Sequence, residues 1–233
     1  MRISCKILSC LLFLFFLLHQ AYAFGQTPYY PEKIWAGKSA SAVGMEQVLL
    51  DSAVALAIGS ENKVERDLRI ANLKAYAREP DYTILGPMKE RGAPAGLIIK
   101  NGYIVAQWGD IERVDMTFSV TKSYLSTVAG LAVDKGLIKD VNDPVNRYVW
   151  DGTFDGIHNG KVTWKHLLQQ TSDWSGCQFG TCDWADRPPK DGNIEDWKNR
   201  PMVDPGSKFE YNDTRVNLLA YSLLQVFRKP LPM

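Results

Sequence analysis

One stretch constrains this chain more than any other: Phe118-Ser119-Val120-Thr121-Lys122-Ser123 sets a hydroxyl and an amine three residues apart at the start of an apolar run. On a helix, positions i and i+3 share a face, with Cβ atoms about 5–6 Å apart. That spacing lets an amine take the proton of a hydroxyl attacking a carbonyl. A helix start adds free N–H groups and partial positive charge, which favour an oxyanion at the serine and a neutral lysine. Between Asp115 and Asp134 the sole charged side chain is Lys122, and Val120, Tyr124, Leu125, Val128, Leu131 and Val133 leave little polar face. Such a helix is expected to be buried, and an ammonium buried there would have a lowered pKa. The bland alternative is a lysine snorkelling from a core helix to the surface. A second match, Ser60-Glu61-Asn62-Lys63, sits among Glu65, Arg66 and Asp67 and reads as a wet helix surface.

The chain opens with Arg2 and Lys6, an apolar run from Ile7 to Leu18 and the small-x-small site Ala21-Tyr22-Ala23. This pattern predicts a secretory signal peptide over 1–23, cleaved after Ala23, and hence a periplasmic or secreted protein. The apolar run is too short to span a bilayer, so no membrane association is expected after cleavage. Removing Arg2 and Lys6 turns the formal net charge from +1 to −1. No basic patch remains to attract nucleic acid. Cys5 and Cys10 leave with the leader, and Cys177 and Cys182 are expected to pair as a disulfide in an oxidising compartment. The alternative, a metal site, is disfavoured because His158 and His166 have no zinc-ligand spacing; no metal and no cofactor are expected.

The remaining chain, 24–233, is long enough for one domain with a core. A helix is predicted over 43–58 and a polar helical stretch over 61–78, ended by Pro80. Leu97-Ile98-Ile99-Lys100, Asn101-Gly102 and Tyr103-Ile104-Val105-Ala106 predict a two-residue β-hairpin. A lone hairpin is marginal, and the helix over 119–135, closed by Gly136, is its expected cover. Another helix is expected from Trp164 to Gln170, and a last one over 215–227. Between them, 171–205 reads as a long functional loop carrying Trp174, Trp184 and Trp197. These tryptophans are candidates for packing, with Trp174 also a candidate substrate contact.

Taken together, Phe118-Ser119-Val120-Thr121-Lys122 resembles the first motif of the penicillin-binding, β-lactamase-related serine hydrolases. Pro205-Gly206 through Tyr211-Asn212-Asp213-Thr214 resembles the Pro-Gly and Tyr-x-Asn segment of their class C-like branch. The stretch Val162-Thr163-Trp164-Lys165-His166-Leu167-Leu168, followed by Thr171-Ser172, is similar to the segment lying between those motifs. The resemblance implies an α/β sandwich of an antiparallel sheet with a helical subdomain. It also implies Ser119 as acylated nucleophile, Lys122 as its proton partner, and Tyr211 as a phenol that shuttles the proton to the leaving group and later activates water. The substrate would be a small molecule or peptide: a β-lactam, a D-amino acid peptide, an ester or an amide oligomer.

Two departures stand out. Asp213 occupies the place of the family's Asn, so an acceptor-only carboxylate replaces an amide that could donate to a substrate carbonyl. His158-Asn159-Gly160 has the letters of the family's third motif but precedes Tyr211, so that motif is missing and the copy is expected to be incomplete at its C-terminal end. A non-catalytic module that binds a cell-wall peptide or other ligand in a degenerate cleft is the alternative function, and a structural export domain a third.

Overall fold

Asn101 and Gly102 both take positive φ, 52° and 84°, and so build the tight turn that joins β1 (Gly96–Lys100) to β2 (Tyr103–Trp108). The computed structural model describes residues 29–190 and 192–230; the leader read in 1–23 lies outside them. Pairing is antiparallel, Gly96 opposite Trp108 and Lys100 opposite Tyr103, with an irregularity between Ile98 and Ile99. Along the other edge of β2, Lys38 N–H donates to the Ile104 carbonyl and Ile104 N–H to that of Ala36. The extended lead-in thereby adds a short parallel pairing. Helix α1 (Gln47–Gly59) packs against β2. These pieces, 29–63 and 92–113, form one compact unit. Within this unit the hairpin is covered by α1.

Residues 64–91 and 114–230 form the second unit. It begins with α2 (Leu68–Tyr76), whose first turn is capped by the Asp67 carboxylate accepting from Arg69 N–H. Phe118–Val120 make a 3-10 turn that runs into α3 (Thr121–Asp134). Gly136, at φ +68°, stops α3, and its N–H reaches the Val133 carbonyl. Helix α4 (Trp164–Leu168) starts on a reciprocal cap in which the Thr163 hydroxyl accepts from His166 N–H while the His166 ring accepts from Thr163 N–H. The segment over 171–205 contains a miniature hairpin of β3 (Cys177–Gln178) and β4 (Thr181–Cys182), then α5 (Ile194–Lys198). Its two-residue turn, Phe179-Gly180, again uses positive φ at both positions, and a Cys177–Cys182 disulfide staples the strands.

The core of this unit forms where α6 (Asp213–Phe227) meets α3 and α4. Arg215, Leu218, Leu219, Ser222 and Leu223 recur at helical spacing and are all buried. The leucines pack with Ala129, Ala132, Ile138, Val145, Phe154, Trp164 and Leu167. Each fully buried aliphatic side chain contributes about 1.5–3 kcal/mol relative to exposure. The two polar members of the stripe are satisfied: Ser222 Oγ donates to the Leu218 carbonyl, and Arg215 enters an ion cage. Helix α3 departs from expectation. Ala129 and Ala132 are its buried residues, whereas Val120, just ahead of it, and Tyr124, Leu131 and Val133 are exposed. Apolar composition marked the face but not which neighbour covers it.

The described residues are thus mixed α/β, helices with two small antiparallel sheets. Among the described residues no helix is long and apolar enough to cross a membrane.

Candidate active site

Phe118 takes φ +45°, a conformation that a bulky residue rarely adopts, and turns the chain just before Ser119. Ser119 consequently sits exposed in the 3-10 turn ahead of α3, while Lys122 follows in the first turn of the helix. The three-residue spacing works as the sequence suggested: Lys122 Nζ donates to Ser119 Oγ at 3.2 Å. From 92 positions away, the Tyr211 hydroxyl shares a 2.5 Å hydrogen bond with the same Oγ. Tyr211 is delivered by the strandlike run ahead of α6. The Pro205-Gly206 turn begins that run, and Gly206 has φ +92°. A Cβ at Gly206 would lie 2.9 Å from His166 Nε2, so the turn needs glycine.

Asn212 caps α6, its side chain accepting from Arg215 N–H at 2.9 Å, and this places Asp213 in the first helical turn beside the serine. A carboxylate is favoured there by the helix dipole. Asp213 does not stand free for a substrate carbonyl. Its Oδ1 accepts from Lys122 Nζ at 2.5 Å and its Oδ2 from Arg187 at 2.6 Å. The Arg187 guanidinium also lies 4.7 Å from the Tyr211 ring centroid and 5.6 Å from that of Tyr76. Asp186 accepts the backbone N–H of Asp213, and Glu79 accepts that of Arg187. Burial pushes both of these carboxyls up from their ordinary range.

The protonation balance corrects one expectation. Burial alone would lower the Lys122 pKa, but the Asp213 carboxylate and the Tyr211 hydroxyl together outweigh it, and the net shift is upward. The Asp213 contact therefore favours the ammonium form of Lys122 over the neutral amine that an apolar helix implied. For Tyr211, burial raises the pKa, yet hydrogen bonding with Lys122 and Ser119 prevails and the phenol is lowered. A cation next to a phenol hydrogen-bonded to a serine is a pair that can move the serine's proton.

Trp174 is corrected as a substrate contact. It is 2% exposed within the core, and its indole N–H donates to the Thr153 carbonyl. The ring is spent on packing. Cys177 and Cys182 are joined, as expected. His158 contacts the Asp173 carbonyl, remote in sequence from the serine turn. Among the described residues no three His, Cys, Asp or Glu side chains gather as a metal site. Arg187, Asp186 and Glu79 carried no sequence signal, since two lie in an irregular loop and the third just past a polar helix. The long loop over 171–205, flagged as functional by its length, was the available hint.

A pocket of about 400 Å³ opens at the serine, lined by Ser119, Lys122, Tyr76, Arg187, Asp213 and neighbouring α3 and α6 residues. This is a serine-centred site on a mixed α/β scaffold, with a lysine and a tyrosine both hydrogen-bonded to the serine hydroxyl. The β-lactamase family model matches residues 92–231, more than half of the chain, and the chain belongs to that family of hydrolases. A comparison with curated proteins gives no match. Among solved structures, it is similar to a β-lactamase/D-alanine carboxypeptidase from Pseudomonas syringae at 20% identity and a TM-score of 0.34, over 48% of this chain and 30% of that one. It is also similar to EstCE1, a hydrolase with promiscuous acyltransferase activity, at 19% identity and a TM-score of 0.40, over 59% of this chain and 43% of that one. The chain spans well under two thirds of either.

Proposed function

We propose that the protein is an exported serine hydrolase that acts on an amide or ester of a small molecule or peptide by acyl transfer. The observation that supports this is the convergence on Ser119 Oγ of Tyr211 OH at 2.5 Å and Lys122 Nζ at 3.2 Å. In this reading the phenolate form of Tyr211 takes the Ser119 proton as Oγ attacks the carbonyl carbon. The O–H bond breaks as the C–O bond forms. Lys122, kept cationic by Asp213, stabilises the phenolate and keeps its own proton throughout. The phenol then protonates the departing amine or alkoxide. Water, deprotonated by the same phenolate, attacks the acyl carbon; the Oγ–C bond breaks, the acid leaves, and the phenol returns its proton to Ser119 Oγ.

The export half of the reading rests on the leader, and N-terminal sequencing of the secreted protein should begin at Phe24. The catalytic half is tested by turnover of a chromogenic ester. Ser119→Ala should abolish turnover, and Tyr211→Phe should lower it by about 10²–10⁴-fold, the usual yield of general acid–base catalysis. Turnover that survives Ser119→Ala would remove the proposal. Saturable ligand binding with no turnover and no acyl adduct would establish a binding module in its place.

A further inference from the structure

Tyr211 can serve Ser119 only if its main chain is held, and the backbone N–H groups of the residues before and after it both donate to one residue far away in sequence. The backbone N–H of Glu210 donates to the Gln170 carbonyl at 2.9 Å, and the backbone N–H of Asn212 donates to Gln170 Oε1 at 3.0 Å. Gln170 itself sits just past α4 at φ +53°. That turn brings its carbonyl and its side chain onto the same segment. One step along, Gly206 N–H donates to the Thr171 carbonyl at 2.7 Å, so the run from the Pro-Gly turn to Asn212 is laid against 170–171.

We infer that Gln170 is a positioning residue for the catalytic tyrosine: its main-chain and side-chain oxygens clamp the backbone N–H groups of Glu210 and Asn212, the residues before and after Tyr211, and so fix the phenol on Ser119. The inference rests on the acyl-transfer reading above. Asn212 is 4% exposed, so an N–H that loses its Gln170 acceptor has little water to turn to. The side chains on either side are anchored otherwise, Glu210 by Arg200 and Arg215, Asn212 by the Asp183 carbonyl and the helix cap. The specific contribution of Gln170 is thus the main-chain direction at Tyr211. Its effect belongs in kcat, because a nucleophile and proton acceptor displaced by about 1 Å lose on the order of 10²-fold, whereas substrate binding in the rest of the pocket is untouched.

The experiment compares the full-length protein with Gln170→Ala and Gln170→Glu, the latter retaining an acceptor oxygen of the same reach. Chromogenic ester kinetics, amide exchange at Asn212 and the 13Cζ resonance of Tyr211 are measured on each. The expected result for Gln170→Ala is a kcat loss of about 10–100-fold with KM held within about threefold, together with at least about tenfold faster Asn212 exchange. Gln170→Glu should restore kcat to within about threefold of wild type. A folded Gln170→Ala protein with wild-type kcat, or with unchanged Asn212 exchange and Tyr211 resonance, overturns the inference. So does a Gln170→Glu protein as impaired as the alanine variant, a comparison that stands even if the alanine variant does not fold. Should the wild type show no Ser119-dependent turnover, the acyl-transfer reading falls alone. Amide exchange and the Tyr211 resonance then decide the clamp: accelerated exchange with a shifted resonance supports it, and no change in either overturns it.

Discussion

Replacing Asp213 by Asn should move the pH dependence of the reaction in a direction fixed by the site's charges. Asp213 Oδ1 lies 2.5 Å from Lys122 Nζ, with side-chain exposures of 41% and 23%. Two unit charges about 4 Å apart attract by about 4 kcal/mol at an effective dielectric of 20, and the partial exposure of this pair reduces that to about 1–2 kcal/mol. One pKa unit corresponds to about 1.4 kcal/mol, so neutralising Asp213 should lower the Lys122 pKa by about one unit. The sign follows from the pairing: the carboxylate favours the ammonium, and its removal lets the proton leave at lower pH. Asp213 also opposes ionisation of Tyr211, so the phenol moves down as well. With the phenolate as the active base and the ammonium as its required neighbour, the Tyr211 change moves the acid limb of kcat/KM to lower pH and the Lys122 change moves the alkaline limb to lower pH. For Asp213→Asn, a chromogenic ester profile from about pH 6 to pH 10 should show the acid limb displaced to lower pH with a gain in rate along it, and the alkaline limb lower by about one unit. A limb that stays in place, or moves to higher pH, would refute this account of how Asp213 sets the charge of the site.

Other predictions concern the scaffold. Arg215, 2% exposed, holds Asp173, Asp183 and Glu210, and Arg215→Ala should cost about 3–5 kcal/mol in urea unfolding by stranding buried carboxylates; a loss below about 1 kcal/mol would show that the cage is dispensable. Burial raises the Asp173 pKa but its arginine partners lower it further, to a net depression. Its stabilising contribution is therefore full above about pH 4 and is lost as pH falls further, which acid titration of the melting temperature should show as a decline confined to that range and absent from Asp173→Asn. The Cys177–Cys182 bridge closes a short loop, and its replacement by two serines should cost no more than about 2 kcal/mol, whereas a loss of all cooperative unfolding would assign it a larger role.

Much of this architecture was legible because local chemistry alone dictates it. Asn101-Gly102 forms a hairpin turn through its positive φ, Gly136 ends α3 for the same reason, and the Ser119 to Lys122 spacing suffices to bring amine to hydroxyl. Helix α6 starts at Asp213, two residues before the expected position, because Asn212 acts as its cap. What sequence did not disclose depends on partners from irregular segments. The protonation of Lys122 was misjudged because its surroundings were inferred from its own helix, while its decisive neighbour, Asp213, arrives from another. Arg187 reaches Asp213 from a loop with no periodicity to mark its direction. Trp174 read first as packing, with a substrate contact as the alternative, and the Thr153 carbonyl and the core around it fix the ring in the packing role.

The central claim, that Ser119 is a nucleophile activated by Tyr211 beside a cationic Lys122, is tested most directly by covalent labelling with a fluorophosphonate. Intact mass should rise by one adduct per chain, and peptide mapping should place it on Ser119. Ser119→Ala should take up none, and Tyr211→Phe should react at least about 10²-fold more slowly. An unlabelled wild-type protein, or an adduct that persists in Ser119→Ala, would contradict the account.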